Sequence, residues 1–179
     1  MNLTRVPESV AVERHLFDSA AILPEIDEAG ASQIIDIGTG AGLPGVVIAI
    51  LRPNVQVTMV ESIKKKAGFV SSVISELNLP NAVVVAERAE AIGKLKSFAG
   101  RFDVVTARAV ASVKDLIAWC APFKAKSGIM LFQKGPKLPD ELRDAEKLMR
   151  SQNLKKSTRE YTVSGEAFSV LKLWSGVTS

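Results

Sequence analysis

The chain has one cysteine, Cys120, and one histidine, His15, in 179 residues. A single cysteine rules out an intrachain disulfide and any cysteine-rich metal site. A single histidine argues against a zinc site or a histidine-based catalytic triad, so no metal is expected. Aromatic residues make up 6% of the chain, too few to supply an obvious base-stacking platform. No apolar run is long enough to span a bilayer, and the N-terminus has no signal-peptide pattern. A cytoplasmic protein with no membrane partner is therefore expected. The charge balance is modest: 23 Lys+Arg against 19 Asp+Glu gives a net +4. That value suits a polyanionic partner without demanding one.

What the chain does have is glycine, concentrated in one place. The stretch 33–51, QIIDIGTGAGLPGVVIAIL, starts as a short apolar run that reads as a buried parallel strand. Gly38, Gly40, Gly42 and Gly45 follow within eight residues, and an apolar helix resumes at Val46. Strand, glycine turn and helix together make a nucleotide-type cofactor site, because glycine accepts positive φ and lets backbone approach a ligand. The segment 40–45 fits G-x-G-x-x-G, a weak dinucleotide pattern when it stands alone. Asp36 points elsewhere. A carboxylate two residues before the first glycine would repel a pyrophosphate, but would attract the sulfonium and ammonium of S-adenosylmethionine. The second strand, 55–60, ends in Glu61, placed to accept hydrogen bonds from ribose hydroxyls of either cofactor. Asp36 could instead cap local backbone amides.

The remaining pattern alternates strands and helices. A helix is expected over 10–23, with Val12, Leu16, Ser19 or Ala20 and Leu23 on one face, leading through Pro24 to the first strand. Ile63, Ala67, Val70, Ile74 and Leu77 are spaced for an amphipathic helix whose other face opens with Lys64, Lys65 and Lys66. Further strands are expected at 82–86, 102–107 and 128–132, a weak helix or loop at 88–98, and helices at 112–123 and 138–151. Segments 159–163 and 168–174 flank Ser164-Gly165-Glu166 as a hairpin. Trp119, Cys120 and Trp174 read as packing residues. The chain thus reads as one α/β domain over 1–179 with a helical lead-in at 1–30. Its Rossmann-like, seven-stranded, mostly parallel sheet closes in an antiparallel hairpin. Asp36, Gly38, Glu61, residues 87–90, Arg108 and Lys134 all fall at carboxyl ends of strands, where ligands bind in such sheets.

These residues also carry a resemblance. IIDIGTGAGLPGVVIAI, TMVESIKKKAGFV, ERAEAI and FDVVTARAVASVKDLIAWC resemble the bacterial RsmG family, also called glucose-inhibited division protein B. So do NLTR at 2–5, RHLFDS at 14–19 and FQKG at 132–135. This family comprises 16S rRNA guanine-N7 methyltransferases with the class I S-adenosylmethionine-dependent fold. The resemblance implies that Gly38 and Leu43 lie on the cofactor, Ala89 and Glu90 beside its adenine, and Arg108 next to the methyl-transfer pocket. Family members usually carry a longer N-terminal helical region, and many have aspartate where this chain has Glu61.

A guanine acceptor would account for the missing catalytic pair. N7 bears a lone pair and no proton, so its attack on a sulfonium methyl calls for positioning and desolvation rather than a general base. Asp36, Gly38, Gly40, Leu43, Glu61, Ala89, Glu90 and Arg108 are the expected cofactor contacts. Arg108 could also orient guanine O6, or it could pair with Asp36 or Glu90 and only shape the pocket. Lys64, Lys65, Lys66, Lys134 and Lys137 could form a phosphate-binding rim, and His15 with Asp18 could line the substrate mouth. The expected partner is 16S rRNA or the small ribosomal subunit, met by a monomer. Two other readings stay open: a methyltransferase for a small molecule or protein, and a non-catalytic nucleotide-binding module.

Overall fold

A computed structural model of the chain describes residues 12–108 and 111–176. The chain enters through a π-helical segment, Val12–Phe17, followed by α1 (Asp18–Ala20) and α2 (Leu23–Glu28). The sheet strands are β1 (Gln33–Ile37), β2 (Gln56–Val60), β3 (Ala82–Val85), β4 (Phe102–Arg108), β5 (Lys124–Lys134), β6 (Leu154–Val163) and β7 (Glu166–Ser175). Between them run α3 (Gly45–Leu51), α4 (Lys64–Glu76), α5 (Ala89–Ile92), α6 (Val113–Cys120) and α7 (Leu138–Ser151). The strand order is β3-β2-β1-β4-β5-β7-β6. β1 to β5 pair in parallel, and β7 is antiparallel to both β5 and β6.

Helices cover both faces, and strand alternation decides which side chain goes where. Ile35, Ile37, Val105, Ala107, Met130 and Phe132 point to the face packed by α5, α6 and α7. Ile34, Val104, Ile129 and Leu131 point to the other, packed by α2, α3 and α4. Because the central strands are buried on both sides, they read as continuous apolar runs.

Several element boundaries differ from the sequence reading: β5 and β6 start at Lys124 and Leu154, four and five residues earlier than expected, and the 88–98 segment is helical only over Ala89–Ile92. The expected helix over 10–23 is broken, its first two residues lying outside the described part. A wider π turn leaves Leu16 45% exposed rather than on the buried face. Pro24 does not end the helix; it sits in the first turn of a new one, where its missing N–H costs nothing. The hairpin turn is two residues, Ser164 (φ 49) and Gly165 (φ 78), both left-handed, so Glu166 already belongs to β7.

Candidate active site

The glycine turn is built around two carboxylates. Gly38 (φ 71), Gly40 (φ 62) and Gly42 (φ 91) all take left-handed backbone. The amides of Gly38 and Thr39 donate to the Val60 carbonyl at 2.9 and 3.0 Å, which tethers the turn to the end of β2. Glu61 closes it from the other side. Its Oε2 accepts from the Gly40 amide at 3.0 Å and its Oε1 from the Ile63 amide at 2.8 Å. Each oxygen keeps a lone pair for a further donor. Gly45 is required for a different reason. A Cβ there would overlap Met59 Cγ and lie 3.0 Å from Asp36 Oδ2, so only glycine lets α3 pack this close to the sheet.

Asp36 is not at the mouth of the site, where the sequence placed it. It is fully buried beneath the turn, on the face that α3 covers. Its Oδ2 accepts from Thr39 Oγ1 at 2.6 Å and from the Gly45 amide at 3.0 Å, while Oδ1 has no hydrogen-bond partner among the described residues. This is the capping geometry: the carboxylate ties the start of the turn to the start of α3. Burial raises its pKa from 3.8 to about 6, against the lowering effect of the two hydrogen bonds.

A titration test follows. The folded chain holds the Asp36 proton more tightly than the unfolded chain, so ionising it costs stability. That cost is absent below about pH 4 and fully present above about pH 6. Relative to an Asp36→Asn variant, the protein should therefore lose roughly 3 kcal/mol of unfolding free energy between about pH 4 and pH 7. Denaturant midpoints of both proteins across that range check it; a stability difference independent of pH would contradict the buried, destabilised carboxylate.

Beside the turn lies a cleft of about 160 Å³. It is lined by Ile37, Gly38, Val60, Ser62, Ala89, Glu90 and Trp119, together with Glu87 and Arg88. Apolar walls from β1, β2 and α5 suit a planar heterocycle. Ala89 is 9% exposed and Glu90 is exposed at the rim. The structure thus brings Gly38, Ala89 and Glu90 together, while Gly40 and Leu43 sit in the turn outside this lining. Trp119, read as a packing residue, does pack on the core from α6 and also walls the cleft.

A second cleft, about 280 Å³, opens beyond β4 and β5. Asp18, Arg108, Gln133, Lys137, Glu141 and Phe168 line it, with Lys134 and the Gly135-Pro136 backbone. Arg108, the last residue of β4, pairs with neither Asp36 nor Glu90. Its Nη1 donates to Asp18 Oδ2 at 2.9 Å, with longer contacts of 3.4 Å to the His15 carbonyl and Ser19 Oγ. Both side chains of this pair are largely buried. Asp18 Oδ1 accepts from the Tyr161 hydroxyl at 2.5 Å and from Gln133 Nε2 at 3.3 Å; Gln133 also donates to the Asp18 carbonyl at 2.5 Å. Burial and the Asp18 carboxylate push the Tyr161 hydroxyl far above its ordinary pKa, so it stays a donor. His15 has its pKa lowered, first by desolvation and then by Arg108.

Lys134 does not join a phosphate rim. It is 7% exposed, and its Nζ donates to the Ala111 carbonyl and pairs with Glu141 Oε2, both at 2.7 Å. The reason is alternation: Arg108 is opposite Gln133 in register and shares its face, so the next residue, Lys134, turns to the α7 side. Lys64, Lys65 and Lys137 are exposed and Lys66 half-buried. A third groove, about 590 Å³, runs between α7 and the β6–β7 hairpin and meets the second cleft only at Gly135, Pro136 and Phe168. It holds none of the residues gathered at the glycine turn. Among the described residues no group of His, Cys, Asp or Glu could hold a metal ion, and no helix is long and apolar enough to cross a membrane.

This sheet order, with its glycine turn after β1 and its antiparallel β7, defines the S-adenosylmethionine-dependent methyltransferase fold. A SAM-dependent methyltransferase from Aquifex aeolicus superposes with a TM-score of 0.68, at 13% identity over 96% of each chain. The O-methyltransferase from Bacillus cereus in complex with SAH gives 0.68, at 17% identity over 97% of this chain and 84% of that one. At such identities the likeness is of fold alone. Sequence goes further. The profile of the GidB family, rRNA small subunit methyltransferase G, matches residues 1–167, and the chain belongs to that family. It is 46% identical over 147 residues to ribosomal RNA small subunit methyltransferase G of Sorangium cellulosum, covering 81% of this chain and 61% of that protein. The corresponding protein of Lactobacillus acidophilus is 40% identical over 153 residues, covering 83% and 63%. The chain thus spans a little over three fifths of the length of these curated relatives.

Proposed function

We propose that this chain is an S-adenosylmethionine-dependent methyltransferase that modifies N7 of a guanine in small-subunit (16S) rRNA, acting as a cytoplasmic monomer. The observation that carries this reading is the convergence of the glycine turn, the apolar cleft and the Arg108 cleft at the carboxyl edge of one sheet, in a chain of this family. The cofactor supplies an electrophilic methyl group on a sulfonium. The residues present fit it: positive-φ glycines leave the turn open to a ligand, the cleft between Val60, Ala89 and Trp119 has apolar walls for adenine, and Glu61 has acceptor capacity left for ribose hydroxyls. Asp36 acts from below, holding turn and helix in register and adding negative charge under a cationic ligand. Gly40 and Leu43 contribute turn backbone.

Arg108 then stands where a base in the second cleft would present its edge, and its guanidinium can donate to guanine O6. N7 needs no deprotonation. The only histidine has its pKa lowered by desolvation and by Arg108, and with N7 as the nucleophile it has no proton to take from the acceptor. Label from the methyl group of the cofactor should pass to small-subunit rRNA isolated from a strain lacking this gene. Label appearing instead on a small molecule or on protein, with the RNA untouched, would overturn the reading.

Lysines at two helix starts supply the phosphate contacts. Lys64, Lys65 and Lys66 stand at the start of α4, and Lys137, which lines the second cleft, at the start of α7. Replacing these four with glutamine should weaken RNA binding and flatten its dependence on salt, by about 0.7 to 0.9 in the log–log slope for each phosphate that is no longer neutralised. Cofactor affinity should not change. Filter binding over a salt series measures it, and an unaltered slope would return these lysines to ordinary surface.

A further inference from the structure

We propose that Asp18 and Arg108 work as one unit that reads the Watson–Crick edge of the target guanine, Arg108 donating to O6 and Asp18 accepting, through its one remaining site on Oδ2, from the N2 amino group. This rests on the guanine substrate assigned above. The pair lines the 280 Å³ cleft, and Nη1 and Oδ2 lie side by side at 2.9 Å. Hydrogen-bond capacity remains on both members. A carboxylate has about four acceptor sites, and three are used: Oδ1 by Tyr161 and Gln133, Oδ2 by Arg108. All the acceptors that Arg108 meets among the described residues fall on Nη1, which leaves the Nη2 and Nε donors for a ligand. The unit therefore offers a donor beside an acceptor. Guanine shows the complement, an acceptor at O6 beside donors at N1 and N2. Adenine shows the reverse order and would set donor against donor.

The supports of the pair point the same way. Tyr161 and Gln133 both donate to Oδ1, so Asp18 is held from one side while its Oδ2 meets Arg108 at the cleft. Oε1 of Gln133, buried next to the pair, has no hydrogen-bond partner among the described residues. Asp18 lies in the RHLFDS segment and meets strand ends 90 and 115 residues away. Holding a substrate base is a task that gives such a junction a purpose beyond packing.

The test compares guanosine with inosine at the mapped target position, in small-subunit particles reconstituted with either rRNA. Inosine keeps O6, N1–H and N7 and lacks only the N2 amino group. In the unaltered enzyme kcat/KM should fall about 10- to 100-fold on inosine, the usual discrimination for a well-placed edge contact. Asp18→Asn should lower kcat/KM on guanosine and shrink the inosine penalty to under about threefold, because the acceptor that reads the amino group has been replaced. Its affinity for S-adenosylhomocysteine should stay as in the unaltered enzyme. Tyr161→Phe, which leaves the carboxylate in place, should keep the penalty. Equal rates on both RNAs in the unaltered enzyme would refute the reader and leave guanine methylation standing, and this comparison needs no variant to fold. An inosine penalty undiminished in Asp18→Asn would refute the role of Asp18. Transfer to neither RNA would instead refute the function on which the proposal rests.

Discussion

A Gly38→Val protein should bind S-adenosylhomocysteine roughly 100-fold more weakly, or not measurably, which corresponds to a loss of about 3 kcal/mol or more. Gly38 lines the apolar cleft and takes φ 71, a left-handed conformation that a β-branched residue adopts only at a cost of about 1–3 kcal/mol. Either the backbone keeps its shape and valine projects where the ligand runs, or it relaxes and gives up the amide bond to the Val60 carbonyl that anchors the turn. Both outcomes close the site. Gly68 on α4 meets nothing within 4 Å of an added Cβ, so Gly68→Ala is a control that should bind normally. Calorimetry on folded protein, with thermal unfolding run alongside, distinguishes a lost site from a lost fold. A folded Gly38→Val chain with undiminished affinity would remove the cofactor from this turn.

Arg108→Ala should lower the methyl-transfer rate by about 10- to 1000-fold, the range expected for losing a group that positions or stabilises the reacting base. It should leave the affinity for S-adenosylhomocysteine near its original value, because Arg108 lines the second cleft and not the first. The change also strips Asp18 of its counter-ion. With both side chains largely buried, a stability loss of up to about 3–5 kcal/mol is expected as well, and rates must be compared at a temperature where the variant is folded. Arg108→Lys keeps the charge but not the fork. It should recover most of the stability and only part of the rate. Full activity in a folded Arg108→Ala protein would reduce the residue to a structural brace.

The glycine turn, the strand that feeds it and the closing hairpin were all legible in the sequence, because each is set by neighbours within a few residues. Left-handed positions call for glycine, and Ser164-Gly165 marks a turn between two β-patterned runs, although its two-residue length came only from the pairing of Val163 with Glu166. Asp36 was misplaced for a reason that lies outside its own neighbourhood. Its burial depends on α3 coming close enough to cover it, which depends on Gly45 meeting Met59. The orientation of Lys134 was hidden by the sheet itself. Ile129 to Phe132 are apolar at every position, since β5 is covered on both faces, and so they carry no alternation from which to count to Gln133 and Lys134. Arg108 was seen as a site residue but given the wrong partners, because the acids considered were those at neighbouring strand ends. Asp18 reaches it from 90 residues upstream, from a segment that departs from the expected helical period. Trp119 could not be separated from an ordinary core tryptophan until α6 was seen to abut α5 beside the cleft.

The account turns on an acceptor atom that carries no proton, and the identity of the methylated nucleoside tests that most directly. RNA methylated by this chain with labelled cofactor, digested and chromatographed, should yield its label as 7-methylguanosine. The single-turnover rate should vary little with pH across the neutral range, because N7 has no proton to lose and no side chain has to accept one. Label on N1, on N2 or on a ribose oxygen, with a bell-shaped pH profile that disappears in a folded, RNA-binding His15→Ala variant, would mean that a proton is removed during the reaction. The assignment of N7, and of a site without a base, would then be wrong.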